Sequence, residues 1–134
     1  MLLTHILFTV VKDTKMKKEI IYLSIPYTFS PELSFAIANE ITAELSIKGD
    51  IVISVISQFH PVSDYLPKEL KNDPKFWEGI DLPILRVCDR LLVVLIGSKG
   101  HQLVAESEGC QGEINEATKH GIPINYIKYS YEFN

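Results

Sequence analysis

Ile20-Ile21-Tyr22-Leu23-Ser24-Ile25-Pro26, followed by Ser30-Pro31, by Leu33, Ile37, Ile41 and Leu45, and then by Gly49 and Ile51-Val52-Ile53-Ser54-Val55-Ile56, is the stretch whose reading decides the fold. Ile20 to Ile25 is a β-rich run stopped by Pro26 and reads as a first core strand. Ser30-Pro31 opens a helix, with serine as cap and proline in the first turn. Apolar residues then recur every four positions, with Ala38 beside them, and Gly49 ends the helix. Ile51 to Ile56 is continuously apolar, as expected of a strand covered on both faces.

The pattern repeats downstream. Gln58 to Lys71 holds Pro61 and Pro67, has no clear period and is expected to be a long loop. Asp73-Pro74 starts a second helix, with Trp77, Ile80, Ile84, Val87 and Cys88 as its apolar stripe. Pro83 inside it would remove the hydrogen bond to the Gly79 carbonyl, so a kink or break is expected there. Leu91 to Ile96 is a third buried strand, and Gly97 to Ala105 a loop. Glu108 to about His120 is a last helix closed by Gly121, and Pro123 to Ile127 a fourth strand. Uniformly apolar strands alternating with helices imply an α/β fold with a short parallel sheet. In such sheets ligands bind beyond the carboxyl ends of the strands, here after Ile25, Ile56, Ile96 and Ile127.

The chain has 134 residues, 46% hydrophobic and 22% charged, which suits one globular domain. The domain is expected over residues 16–134, with residues 1–15 as an N-terminal extension. Met16-Lys17-Lys18 directly precedes the first strand and is a plausible natural start. Leu2 to Val11 is apolar but too short to cross a bilayer. It lacks a basic region before it and makes a poor signal peptide. It could instead add an edge strand or an arm onto a neighbouring subunit. The net charge of −4, with Lys15, Lys17 and Lys18 as the one basic cluster, disfavours a nucleic-acid polymer as partner. Cys88 and Cys110 form no CxxC pair and read as reduced thiols of a cytoplasmic protein. His5, His60, His101 and His120 have no ligand spacing, so no metal is expected.

No dinucleotide fingerprint, phosphate loop or nucleophile elbow is present. What remains is acidic. Glu113 follows Cys110 by three positions and precedes Ala117 by four, beside the buried face of the last helix. It either stabilises the helix start or carries chemistry. Asp81 lies four residues after Trp77 on the apolar stripe, and is either paired or aimed into a cleft. Asp89 sits in a helix-to-strand turn, where turn-building competes with ligand binding. Tyr27 after strand one can pack or bind a ligand. His60 after strand two is a general acid or a loop residue. Ser107 is most simply a helix cap.

The run Ile21-Tyr22-Leu23-Ser24-Ile25-Pro26-Tyr27 resembles the first-strand signature of the nucleoside 2-deoxyribosyltransferase superfamily. The same holds for Asp81 with Asp89 leading into Leu91-Leu92-Val93-Val94, and for Ser107 through Glu113-Ile114-Asn115-Glu116-Ala117 to Gly121-Ile122-Pro123-Ile124. The match spans about residues 20–127. It is most similar to a branch with a His-Pro after strand two and a Phe-Trp before the aspartate, here His60-Pro61 and Phe76-Trp77. The resemblance implies a flavodoxin-like (Rossmann-like) three-layer sandwich, often a dimer or larger homo-oligomer, acting without cofactor or metal. It implies cleavage or exchange of an N-glycosidic bond in a nucleoside or nucleotide. Glu113 would be the nucleophile and Asp81 the acid toward the departing base, with Tyr27, His60, Ser107, Trp77 and Asp89 as substrate-binding residues. A non-catalytic nucleotide-binding domain of the same fold is the alternative, since fold does not fix function; a purely structural or partner-binding subunit is a third possibility. Self-association is further expected from the apolar Leu2 to Val11 and the aromatic tail Tyr129, Tyr131 and Phe133.

Overall fold

The computed structural model describes residues 18–134. The expected N-terminal extension, with Leu2 to Val11, lies outside the described residues. Strand β1 is Ile20–Ser24, followed by helix α1, Pro31–Ile47. Ser30 stands at the expected cap position, but its side chain makes no capping bond. Gly49 closes α1 in a left-handed conformation at φ 95°. Its amide bonds Ser46, and the Asp50 amide bonds Leu45, the paired pattern that satisfies the last carbonyls of a helix.

Strand β2 is only Ile51–Ile53, shorter than the expected run to Ile56. Ser54 ends it: its hydroxyl accepts the Ser57 amide and caps helix α2, Val55–Phe59. Nor is β2 covered on both faces. It is an edge strand, with Ile51 and Ile53 43% and 37% exposed. The expected loop from Gln58 to Lys71 is helical in pieces: the end of α2, a 3-10 turn over Val62–Tyr65, and helix α3, Lys68–Lys71.

Helix α4 is Pro74–Arg86, capped by the Asp73 carboxylate on the Lys75 amide. It runs unbroken through Pro83. One bond to Gly79 is missing, but Leu82, Ile84 and buried Leu85 pack against the sheet, and that packing outweighs one backbone hydrogen bond. Strand β3, Arg90–Ile96, follows. The expected loop after it is a 3-10 turn, Gly97–Lys99, leading into helix α5, Gly100–Glu106. Helix α6 is Glu108–Lys119 and strand β4 is Ile124–Tyr129.

The four strands are parallel in the order β2-β1-β3-β4, the arrangement of doubly wound flavodoxin-like sheets. Alternating side chains divide the core. Leu23, Ile25, Val94 and Ile96 pack on Ile37, Ala38 and Ile41 of α1. Tyr22, Leu91, Val93 and Leu95 pack on Leu85 of α4 and on Cys110 and Ala117 of α6. The chain is therefore a three-layer α/β sandwich. Among the described residues, no helix is long and apolar enough to cross a membrane.

The aromatic tail is less exposed than expected. Tyr129 and Phe133 pack against the α1 side of the core, and Tyr131 is 38% exposed. The tail passes over Gly97, where a β-carbon would lie 2.4 Å from the Tyr131 carbonyl oxygen. Phe133 meets Phe29 with ring centroids 6.5 Å apart, and Lys99 sits over its ring.

Candidate functional site

Helix α6 sets the first carboxylate. Ser107 caps it, its hydroxyl oxygen accepting the Cys110 amide at 3.1 Å. The capped helix turns Cys110, Glu113 and Ala117 inward. Glu113 is 7% exposed and meets β1. The Tyr22 hydroxyl donates to its Oε2, and the Ser24 hydroxyl donates to its Oε1 at 2.6 Å. Tyr22 and Ser24 are two positions apart in a strand, so both face α6. Burial pushes Glu113 up to about 7, against the lowering effect of the two hydroxyls; the charge of Asp81 adds to the rise.

Asp81 stands on α4, on the same side of the sheet. Its Oδ1 is buried without a hydrogen-bond partner, and burial raises its pKa to about 6. Its charge acts on both Glu113 and Tyr22. The structure thus gathers Asp81 and Glu113 on one interior face, and among the described residues neither is in an ion pair. Tyr22 remains a phenol, its pKa raised by burial and by Glu113. Cys110 is a thiol rather than a thiolate, pushed up to about 12 by burial and Glu113. Among the described residues, no group of three or more His, Cys, Asp or Glu is placed to hold a metal ion.

The second cluster lies at the carboxyl edge. The Tyr27 hydroxyl is 2.5 Å from His60 Nδ1, and His60 Nε2 is 3.1 Å from Glu32 Oε1. Tyr27 also lines a cavity of about 60 Å³ with Pro26, Phe29, Glu106 and Ser107. A chain of contacts links this cavity to the buried carboxylate: Ser107 holds Cys110, Cys110 Sγ lies 3.3 Å from Ser24 Oγ, and Ser24 holds Glu113. A larger hollow of about 360 Å³, lined by Ile53, Ser54, Ser57, Phe59 and Ile84 among others, lies along edge strand β2. Neither cavity is lined by Glu113 or Asp81.

Two expected site residues stand apart. Asp89 precedes β3 at the amino edge of the sheet, opposite the ligand edge. Its Oδ2 accepts the Ile20 amide at 2.8 Å, and its own amide donates to the Ile20 carbonyl; this is the turn-building role. Trp77 spends its indole N–H on the Lys71 carbonyl at 2.8 Å. Its ring packs on Phe76 and Phe59, centroids 5.1 and 6.0 Å away, which anchors α4 to the preceding turns. Tyr22, Ser24 and Glu32 were not among the expected site residues. Tyr22 and Ser24 were readable as polar atoms at alternate positions of an aliphatic strand. Glu32 gave no signal beyond a favourable charge in a first helical turn.

The family model described as "Domain of unknown function (DUF1937)" matches residues 19–128. No curated protein matches the sequence. Among solved structures, the chain is similar to a 2-deoxyribosyltransferase from the psychrotolerant bacterium Bacillus psychrosaccharolyticus. The two share 17% identity at a TM-score of 0.53, over 86% of this chain and 76% of that one. The similarity is one of fold.

Proposed function

We propose that this chain, which belongs to the DUF1937 family, cleaves or exchanges the N-glycosidic bond of a nucleoside or nucleotide. One observation carries the reading: two carboxyl groups, Glu113 and Asp81, share a buried face without a cation, each with its pKa raised. Burying unpaired carboxylates is costly, and such pairs cluster at sites of chemistry. The likeness in fold to a 2-deoxyribosyltransferase is consistent with it.

The Glu113 carboxylate attacks the anomeric carbon, forming a carbon–oxygen bond as the bond to the base breaks. The electron pair leaves with the base nitrogen, which takes the Asp81 proton. Water, or a second base, then displaces Glu113 with retention of configuration. Tyr22 and Ser24 hold the carboxylate in place and favour its charged form. The competent state has Glu113 ionised and Asp81 protonated, the minor of the two singly protonated forms when Glu113 lies at about 7 and Asp81 at about 6, so the rate should follow a low bell in pH that peaks between those values.

A second reading is favoured by the closure of the site. Glu113 is 7% exposed and covered by Tyr22 and Ser24, as a structural carboxyl in a non-catalytic nucleotide-binding domain would be. The test is chromatographic release of free base from a panel of 2′-deoxynucleosides and their 5′-monophosphates, with and without added adenine as acceptor. Release that falls by about three orders of magnitude or more in Glu113→Gln supports the catalytic reading. Calorimetric binding without release selects the second. An active Glu113→Gln variant overturns the mechanism.

A further inference from the structure

Strand β2 has β1 on one side and, among the described residues, no strand on the other. Its outer backbone groups are free to pair with an added strand. The hollow of about 360 Å³ beside it touches both layers that flank the sheet. Thr42 of α1 lines it, as does Val52, which packs with the α1 core. Ile53 points the other way, since it is in register with Tyr22. Phe59 and Ile84 also line the hollow, and both pack with Tyr22 in the second core. A hollow that reaches both layers at the end of a sheet lies in the plane of the sheet, where the next strand would run. None of the residues lining it carries a charge, and Ile51 and Ile53 are left partly exposed.

The chain itself holds a segment of the matching kind. Leu2 to Val11 has seven aliphatic or aromatic residues in ten, with no proline, no glycine and no Asp, Glu, Lys or Arg. A strand covered on both faces is uniformly apolar rather than alternating. The described chain starts at Lys18, whose ammonium lies 3.5 Å from where a β-carbon on Gly49 would stand. Gly49 and Asp50 lead directly into β2, so the preceding residues depart from the foot of that strand. From the lane of β1 to the lane beyond β2 is two strand spacings, about 10 Å. The six residues Lys12 to Lys17 reach about 20 Å. They are too few for the crossover of a dozen or more that a parallel strand requires. We infer that Leu2 to Val11 fills this hollow as a fifth strand, antiparallel to β2, with Phe8 to Val11 opposite Ile51 to Ile53. The chain then closes the exposed edge of its own sheet, and the added strand braces α2 and its Phe59 from outside. A second copy no longer finds that edge open.

The test is NMR on the full chain. Cross-strand contacts between α-protons of Phe8 to Val11 and of Ile51 to Ile53 are expected. Alternate amides of Phe8 to Val11 should exchange about a hundredfold more slowly than in an unfolded chain. Exchange at unfolded rates throughout Leu2 to Val11 overturns the inference, and so does a parallel pattern of contacts. The double variant Thr9→Pro, Val10→Pro removes whichever of two successive amides faces β2. It should speed exchange of the outward β2 amides by about tenfold and lower the melting temperature, while β1 and β3 keep their protection. Unchanged exchange in β2 overturns the inference. If the double variant does not fold, the wild-type contacts decide alone. A mixture of isotope-labelled and unlabelled chains separates the occupants. Contacts within one chain support the inference, whereas contacts found only between chains give the hollow to a second copy and overturn it.

Discussion

Replacing Glu113 by Gln should make the protein more stable at pH 8, and the gain should vanish in acid. Glu113 rises from an ordinary 4.5 to about 7 in the folded chain, chiefly through burial. The folded state therefore holds a proton that the unfolded state releases between those values. Stability is greatest below 4.5, falls as pH rises through the window, and levels off above 7. The step from 4.5 to about 7 is worth about 3 kcal/mol, at about 1.4 kcal/mol per pH unit. Glutamine keeps the shape and stays neutral. Its carbonyl still accepts from one hydroxyl, while its amide must find a new acceptor, a loss of about 1 kcal/mol. The net gain at pH 8 is about 2 kcal/mol, which at an ordinary urea slope moves the midpoint up by about 1 M. Urea titrations read by Trp77 fluorescence from pH 4.5 to 8.5 measure it. Asp81 titrates in both proteins, so both curves slope; the gap between them is the signal. A wild type that gains stability from pH 5 to 8, or a gap that does not change with pH, would refute the reasoning.

Tyr22→Phe keeps a fully buried ring and removes a hydroxyl that lowers the Glu113 pKa. The alkaline limb of the activity profile, which follows the higher of the two values, should move to higher pH as its peak falls, and stability at pH 8 should drop by about 1–2 kcal/mol; an unchanged profile would separate Tyr22 from the carboxylate's titration. Gly97→Ala adds a β-carbon 2.4 Å from the Tyr131 carbonyl at φ 59°. It should lower stability by about 1–3 kcal/mol and expose Phe133, seen as a lower melting temperature and increased proteolysis of the tail.

Strands β1 and β3 were legible because the central strands of a parallel sheet are covered on both faces and leave continuous apolar runs. Strand β2 was overread for the same reason. Val55 and Ile56 continue the run chemically, and only the Ser54 cap diverts them into α2. Pro83 was read locally, where it costs a bond, while the packing of Leu85 that keeps α4 whole is a tertiary fact. Of the expected site residues, Glu113 and Asp81 stand on the same side of the sheet, while Tyr27 meets His60 and lines a small cavity with Ser107. Asp89 and Trp77 illustrate the opposite case. A chemically capable side chain is bound by whichever backbone group it meets first, here the Ile20 amide and the Lys71 carbonyl, and no spacing announces that.

The tail that crosses Gly97 and ends against Phe29 and Lys99 has a practical consequence. A fusion partner or surface tether joined after Asn134 would begin at the rim of the hollow shared by Tyr27 and Ser107, where it could screen small molecules from entry. The described chain enters at the far side, with the Lys18 ammonium 3.5 Å from where a β-carbon on Gly49 would stand. A tether joined after Asn134 therefore starts next to the residues that a binding assay at this hollow has to reach.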